Sequence, residues 1–260
     1  MNDPAPQITV PVSVRRVLPD LLAAVAAVAG ERLVGVWLYG SAATGTFDRG
    51  VSDIDVLIGV EGELDLDAGA LAAAHARVLR AHPGFNDRLD VTWAPAAALA
   101  GGLLQPLFAV SPGEPLHTVR VTPAWALTRA LVRETGLTLQ GRPAREALAP
   151  VGGQELRRAL VDSVAGLRNR APQVRHRGGH AYVALTACRT LRTLTTGELV
   201  DKGEAARWTA ERWPRMRPLL ESALVWRRTQ AVRDETPLPE ELAALMRELL
   251  DLTAAAALPE

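Results

Sequence analysis

GSAATGTFDRGVSDID, residues 40–55, decides how this chain is read. A glycine–serine pair, Gly40 and Ser41, is separated by eleven residues from two aspartates, Asp53 and Asp55. Upstream, LVGVWLY (residues 33–39) is a continuous apolar run and reads as a buried strand. Residues 40–50 are rich in turn formers, and VSDIDVLIGV (residues 51–60) resumes as a second strand. Alternate side chains of a strand share a face, so Asp53 and Asp55 are expected to point one way while Ile54 and Val56 enter the core. Their Cα atoms then lie about 7 Å apart, close enough to hold hard cations between the carboxylates. Two like charges on a half-buried sheet raise a pKa unless a cation compensates them, and Mg²⁺ is the natural neutraliser. Gly40 has no Cβ, so its backbone can approach a phosphate, and Ser41 adds a hydroxyl donor beside it.

A third acid is expected from LDVTW, residues 89–93. Leu89, Val91 and Trp93 alternate as the buried set, which leaves Asp90 on the other face, with Asp87 as the fallback. Beyond these strands the first half shows helical spacing at about residues 14–29, 68–79 and 123–135. Pro and Gly cluster over residues 141–153, which divides the chain into domains 1–150 and 151–260. After that break the spacing is helical throughout, over residues 155–167, 181–194, 203–213, 217–233 and 240–255. The fold class expected is α+β: a mixed sheet with flanking helices, followed by an α-helical bundle.

With 29 basic and 29 acidic side chains, the chain has no excess positive charge to hold a long phosphate backbone. A single cysteine, Cys188, excludes an internal disulfide and a multi-cysteine zinc site, and the helical spacing around it makes it a small buried residue. His75 and His82 lack paired metal ligands nearby. The tryptophans fall at strand positions (Trp37, Trp93) or helical spacings and are read as packing residues. The N-terminus has neither the basic start nor the apolar run of a signal peptide, and the apolar run at residues 21–30 is about half of a membrane span. A cytoplasmic protein is expected.

The apolar strand, Gly40–Ser41 turn, spacer and Asp53-Ile-Asp55 together resemble the nucleotidyltransferase fold of the DNA polymerase β type. The resemblance implies that Asp53 and Asp55 ligate two Mg²⁺ ions, and that Asp90 ligates one of them, takes the proton from the acceptor hydroxyl, or does both. Two ions about 3.5–4 Å apart clamp both ends of an in-line displacement at the α-phosphorus of a nucleoside triphosphate. Gly40 and Ser41 are the corresponding nucleotide contacts.

The second half carries its own resemblance. HAYVALTACRTLRTLTTGELVDKGEAARWTAERWP, residues 180–214, is similar to the C-terminal helical domain of bacterial adenylyltransferases acting on streptomycin and spectinomycin: a helix ending in Thr-Gly, a short loop with a lysine, then a helix with a Trp motif. Arg189 and Lys202 match the basic residues with which that family reaches the triphosphate. Lys202 is also the only lysine of the chain. His180 and Tyr182 are the candidate acceptor contacts. The pattern departs from the family where a polycationic acceptor should meet acids: no Asp or Glu occurs from Ser163 to Gly197, the loop before the helix is basic (Arg175, His176, Arg177), and in residues 95–115 after the third strand (PAAALAGGLLQPLFAVSPGEP) only Glu114 offers a charge.

The resemblance thus implies Mg²⁺-dependent transfer of AMP from ATP to a hydroxyl of a small molecule, an aminoglycoside or aminocyclitol first. The alternatives are the same chemistry on another acceptor (small molecule, protein or RNA), or a silent nucleotide-binding, antitoxin-like module. A neutral chain disfavours RNA, and clustered acids are costly for a silent module to retain. Neither a membrane nor a nucleic-acid partner is expected, and monomer and homodimer both stand open.

Overall fold

In the computed structural model, residues 10–49, 51–229 and 234–257 are described. They fall into two compact units that divide between Val151 and Gly152.

In the first unit, α1 (Val12–Ala29) leads into β1 (Leu33–Tyr39), a single turn α2 (Ser41–Thr44) and β2 (Ile54–Val60). Then come α3 (Ala68–Ala81), β3 (Leu89–Pro95), α4 (Ala96–Leu99), β4 (Pro106–Val110), β5 (His117–Arg120), α5 (Trp125–Thr135), β6 (Leu137–Gly141) and α6 (Ala144–Ala147). The strands form one mixed sheet in the order β5-β4-β3-β2-β1-β6. β2 and β3 are parallel, as the intervening α3 requires, and every other pairing is antiparallel. Asp67 starts α3 by accepting from the amides of Gly69 and Ala70 at 2.8 and 3.2 Å.

Both faces of the sheet are covered, which is why β1 and β2 read as near-continuous apolar runs. Val36, Leu38, Ile54, Val56, Ile58, Val91 and Trp93 meet α1 and α3 on one face. Trp37, Leu57 and Ala94 meet Leu99, Trp125 and Val132 on the other. The indole N–H groups that burial would strand are satisfied: Trp37 donates to the Arg142 carbonyl and Trp125 to the Ala98 carbonyl, both at 2.9 Å. Trp93 donates to His75 Nε2 at 2.9 Å, and burial pushes the His75 imidazole down to about 4, so this histidine is a neutral core residue.

The second unit is helical: α7 (Gly153–Arg170), α8 (Arg177–Thr196), α9 (Lys202–Arg212), α10 (Arg217–Arg228) and α11 (Glu240–Ala257). Its core centres on α8, whose Val183, Ala184, Leu185, Ala187, Cys188 and Leu191 pack against Ala205, Leu219, Leu220, Met246 and Leu249. Cys188 is wholly enclosed there, and burial pushes its thiol up to about 12.

Three differences from the sequence reading bear on the site. β4, β5 and β6 extend the sheet beyond the strands that were expected. Asp53 lies just before β2: the ladder to the 88–95 segment starts only at Ile54, whose amide donates to the Arg88 carbonyl at 2.8 Å. The basic segment before residue 181 is not an open loop. α8 already begins at Arg177, with His176 as its cap accepting from the Gly179 amide at 3.0 Å. The part of the expected 217–233 helix beyond Thr229 lies outside the described residues, and the helix itself ends at Arg228.

Candidate active site

β1 delivers the chain to Gly40, which turns it into α2 at φ 67° and ψ −149°. That region is open to glycine and closed to side chains with a Cβ. A Cβ on Gly40 would also fall onto the Asp55 carboxylate, so the backbone and that acid are in close apposition. The Gly40 carbonyl is taken up by the amides of Ala43 and Thr44 at 3.1 and 3.2 Å and by the Thr44 hydroxyl at 3.1 Å, which fixes the corner. The first amides of a helix have no partners within it, so the Ser41 amide is a candidate donor at this corner, whereas Ala42 is wholly buried. The loop that follows is closed by Ser52, 5% exposed, whose hydroxyl accepts from the Asp48 amide at 3.0 Å.

Sheet register sets the acids. Asp55 pairs with Tyr39 of β1 on one side and with Asp90 of β3 on the other. Paired residues of neighbouring strands project to the same face. Asp55 and Asp90 are therefore side by side, while their neighbours Ile54, Val56, Leu89 and Val91 are in the core. Both carboxylate residues are half-buried, as is Asp53. Burial, and next the charge of Asp53, push the Asp90 carboxyl up to about 6; His117 counteracts this and Glu114 adds to it. The electrostatic coupling brings Asp53 into the same field although it sits off the strand. Asp87, the fallback, is largely exposed beside Arg88 and outside β3.

Glu114 and His117 were not anticipated as members of this group. They belong to the β4–β5 hairpin, where His117 Nδ1 stands 3.0 Å from the Pro115 carbonyl and 3.8 Å from the Glu114 carboxylate. His117 pairs with Ala109, and Ala109 with Thr92, which shares a face with Asp90. The signal available in the sequence was the SPGE turn between PLFAV and HTVR.

Among the described residues, no three His, Cys, Asp or Glu side chains stand as a ready-made metal cluster. The donor set nonetheless fits Mg²⁺. It consists of hard carboxylate oxygens, and after burial it is the negative charge of Asp53, which a divalent cation would relieve, that raises the Asp90 pKa.

In the second unit, Arg189 lies on α8 and Lys202 opens α9, where Asp201 caps by accepting from the Gly203 and Glu204 amides at 2.7 and 3.0 Å. His180 and Tyr182, two residues apart on a helix, diverge. His180 lines a cavity of about 740 Å³ with Arg168, Arg175 and Met246, and burial, then Arg177 and His176, lower its pKa. Tyr182 is 44% exposed. Arg177, grouped with the basic loop in the sequence, is structural: 8% exposed, its guanidinium stacks 4.7 Å from the Trp226 ring centroid and donates to the Pro237 carbonyl at 2.9 Å.

Residues 25–85 match the nucleotidyltransferase domain family, and residues 146–251 match the aminoglycoside adenylyltransferase C-terminal domain. A spectinomycin 9-adenylyltransferase from Staphylococcus aureus is 27% identical over 198 residues, covering 72% of this chain and 74% of the relative. In three dimensions the chain is similar to the spectinomycin adenyltransferase of Enterococcus faecialis, a crystal structure with ATP and spectinomycin. The TM-score is 0.71 over 92% of this chain and 98% of that one, at 16% identity, and this likeness shows a shared fold. No helix among the described residues is long and apolar enough to cross a membrane. Two family matches in the expected order, over a sheet that sets Asp55 beside Asp90 at a glycine corner, assign the chain: a nucleotidyltransferase domain followed by an aminoglycoside adenylyltransferase C-terminal domain makes it an adenylyltransferase of the nucleotidyltransferase superfamily.

Proposed function

We propose that this enzyme transfers AMP from ATP to a hydroxyl of an aminocyclitol or aminoglycoside antibiotic, with spectinomycin as the acceptor to test first. The observation that carries the reading is the register pairing of Asp55 with Asp90 beside Gly40, in a chain whose second half matches the family's C-terminal domain. Asp53, Asp55 and Asp90 are the residues assigned to hold Mg²⁺, which when bound supplies charge neutralisation at the phosphates. Asp90, with a carboxyl raised to about 6, is still mostly ionised at neutral pH and suits acceptance of the acceptor hydroxyl proton. The Gly40–Ser41 corner is assigned to the phosphates through backbone donors and the Ser41 hydroxyl. Arg189 and Lys202 are assigned to the triphosphate charge, and Lys202→Ala is expected to weaken ATP binding. A cytoplasmic site of action belongs to the same reading, since ATP and Mg²⁺ are supplied there.

The test is pyrophosphate release from ATP and Mg²⁺ in the presence of spectinomycin or streptomycin, with the product identified by mass. Release that requires one of these antibiotics, with an AMP adduct formed in equal amount, is the expected result; no release with any member of an aminoglycoside panel overturns the acceptor assignment.

A cationic acceptor needs a carboxylate that is not engaged with metal, and Ser163 to Gly197 has none. Glu114 fills that role in this reading: it lies on the β4–β5 hairpin, 63% exposed at its side chain and within the electrostatic field of Asp90. Glu114→Gln is expected to raise the KM for spectinomycin about three- to tenfold, the effect of one charge-assisted contact, with ATP affinity unchanged. An unchanged acceptor KM removes Glu114 from the acceptor site.

A further inference from the structure

α8 is buried along most of its middle turns. Between Ala181 and Leu191 every residue is buried except Tyr182 and Arg189. These two are seven residues apart, two helical turns, and so lie on one lane of the helix. Over that lane the Lys202 ammonium stands 4.5 Å from the centroid of the Tyr182 ring, and the Arg170 guanidinium stands 5.1 Å from it. Each distance is within the range of a cation–π attraction, in which the negative ring face holds a positive group.

The elements that bring these groups together are specified locally. Lys202 is the first residue of α9, so its backbone is fixed by the Asp201 cap, and its four-carbon stem carries rotamer entropy that ordering must offset. Arg170 is the last residue of α7. Tyr182 anchors both from a helix whose remaining faces are in the core. A tyrosine loses few rotamers on ordering, so an aromatic ring is an economical way to hold a flexible cation in one place.

We propose that Tyr182 is a positioning residue for the only lysine of the chain: its ring holds the Lys202 ammonium, with Arg170 beside it, in the arrangement that receives the ATP phosphates. The proposal rests on the assignment of Lys202 to the triphosphate and gives Tyr182 a role different from direct acceptor contact. The ring supplies the platform and the phenolic oxygen is dispensable, so phenylalanine substitutes and an aliphatic residue does not.

The test measures MgATP dissociation constants of the full chain by calorimetry, with no acceptor present. Tyr182→Leu is expected to weaken MgATP about three- to tenfold, the fold-change corresponding to an exposed cation–π contact and the ordering it provides. Tyr182→Phe is expected to restore the affinity. In a double-mutant cycle the effect of Tyr182→Leu is expected to vanish when Lys202 is already alanine, because the ring acts through the ammonium. Because Tyr182 is 44% exposed, its truncation leaves no enclosed cavity, and circular dichroism melting of each variant checks the fold. If Lys202→Ala weakens MgATP and Tyr182→Leu does not, the positioning role is wrong while the phosphate assignment stands. Additive losses in the double variant also overturn it, since they mean that the ring touches the nucleotide itself. If Lys202→Ala binds MgATP as the wild type does, the phosphate assignment fails and the inference falls with it.

Discussion

Asp55→Asn is expected to lower the turnover of adenylyl transfer at least about a thousandfold while the protein stays folded. Asparagine matches aspartate in shape, so the side chain can keep its place against Gly40 and in register with Asp90. What it removes is the negative charge and one hard oxygen ligand, the two properties for which an acid is needed at this corner. An ordinary surface acid at the start of a strand tolerates the same change within about 0.5 kcal/mol and with no loss of function. Pyrophosphate release and a thermal melt on the same preparation separate the two cases. Residual activity within tenfold of the wild type would remove Asp55 from the reaction.

Asp90→Asn is expected to have opposite effects on activity and stability. Turnover falls by about two to four orders of magnitude, the usual weight of a general base, because the amide cannot accept the hydroxyl proton. The metal-free fold, however, gains about 1–3 kcal/mol near neutral pH. Burial, followed by Asp53, holds the Asp90 carboxyl at about 6 instead of 3.8, so ionising it in the folded state is unfavourable. Between those two values the native state retains a proton that the unfolded chain has released, and stability contributed by this group therefore falls as pH rises through that window. It is fully present below about pH 4 and lost above about pH 6. The variant abolishes this dependence and raises the melting temperature at pH 7.5 in EDTA by about 2–10 °C. Mg²⁺ with ATP is expected to offset the same cost in the wild type, so that the difference between the two proteins narrows when both are added. A less stable Asp90→Asn protein in EDTA would mean that Asp90 is held by favourable contacts and is not a strained functional acid.

How much of this was legible beforehand follows from the kind of residue in each element. β1 and β2 are covered on both faces, and LVGVWLY and IDVLIGV show it as apolar runs. β3 was legible through the alternation of Leu89, Val91 and Trp93. β5 and β6 were not, because they are the edge strands: HTVR and LTLQG carry half-exposed and exposed residues, and β6 follows α5 with only Gly136 between them. A short polar strand takes its identity from its neighbour's hydrogen bonds, which leave no trace in local composition. β4, Pro106–Val110, was hidden by its length and by the Gly101–Gly102 turn before it.

The positions of the candidate residues were legible where spacing determines them and less so where the third dimension does. Asp55 and Asp90 follow from strand alternation, yet that they are register partners depends on the α3 crossover. Asp53 lies off β2 because the pairing with β3 begins one residue later. Glu114 and His117 reach Asp90 through a hairpin that was not expected, and no motif marks them. In the helical unit, Arg177 and its neighbours Gly178 and Gly179 read as part of a basic loop before the helix. The packing of Arg177 on Trp226 and its bond to Pro237 override the poor helix propensity of two glycines.

The central claim is that Asp53, Asp55 and Asp90 form a divalent-cation centre, and Mn²⁺ in place of Mg²⁺ makes it directly measurable. Electron paramagnetic resonance titration of Mn²⁺ into the full chain with a non-hydrolysable ATP analogue is expected to show bound metal in the wild type. At least a tenfold weaker affinity is expected in Asp55→Asn, with the analogue itself still bound. Equal Mn²⁺ affinity in the two proteins would contradict the assignment of these acids as the metal centre.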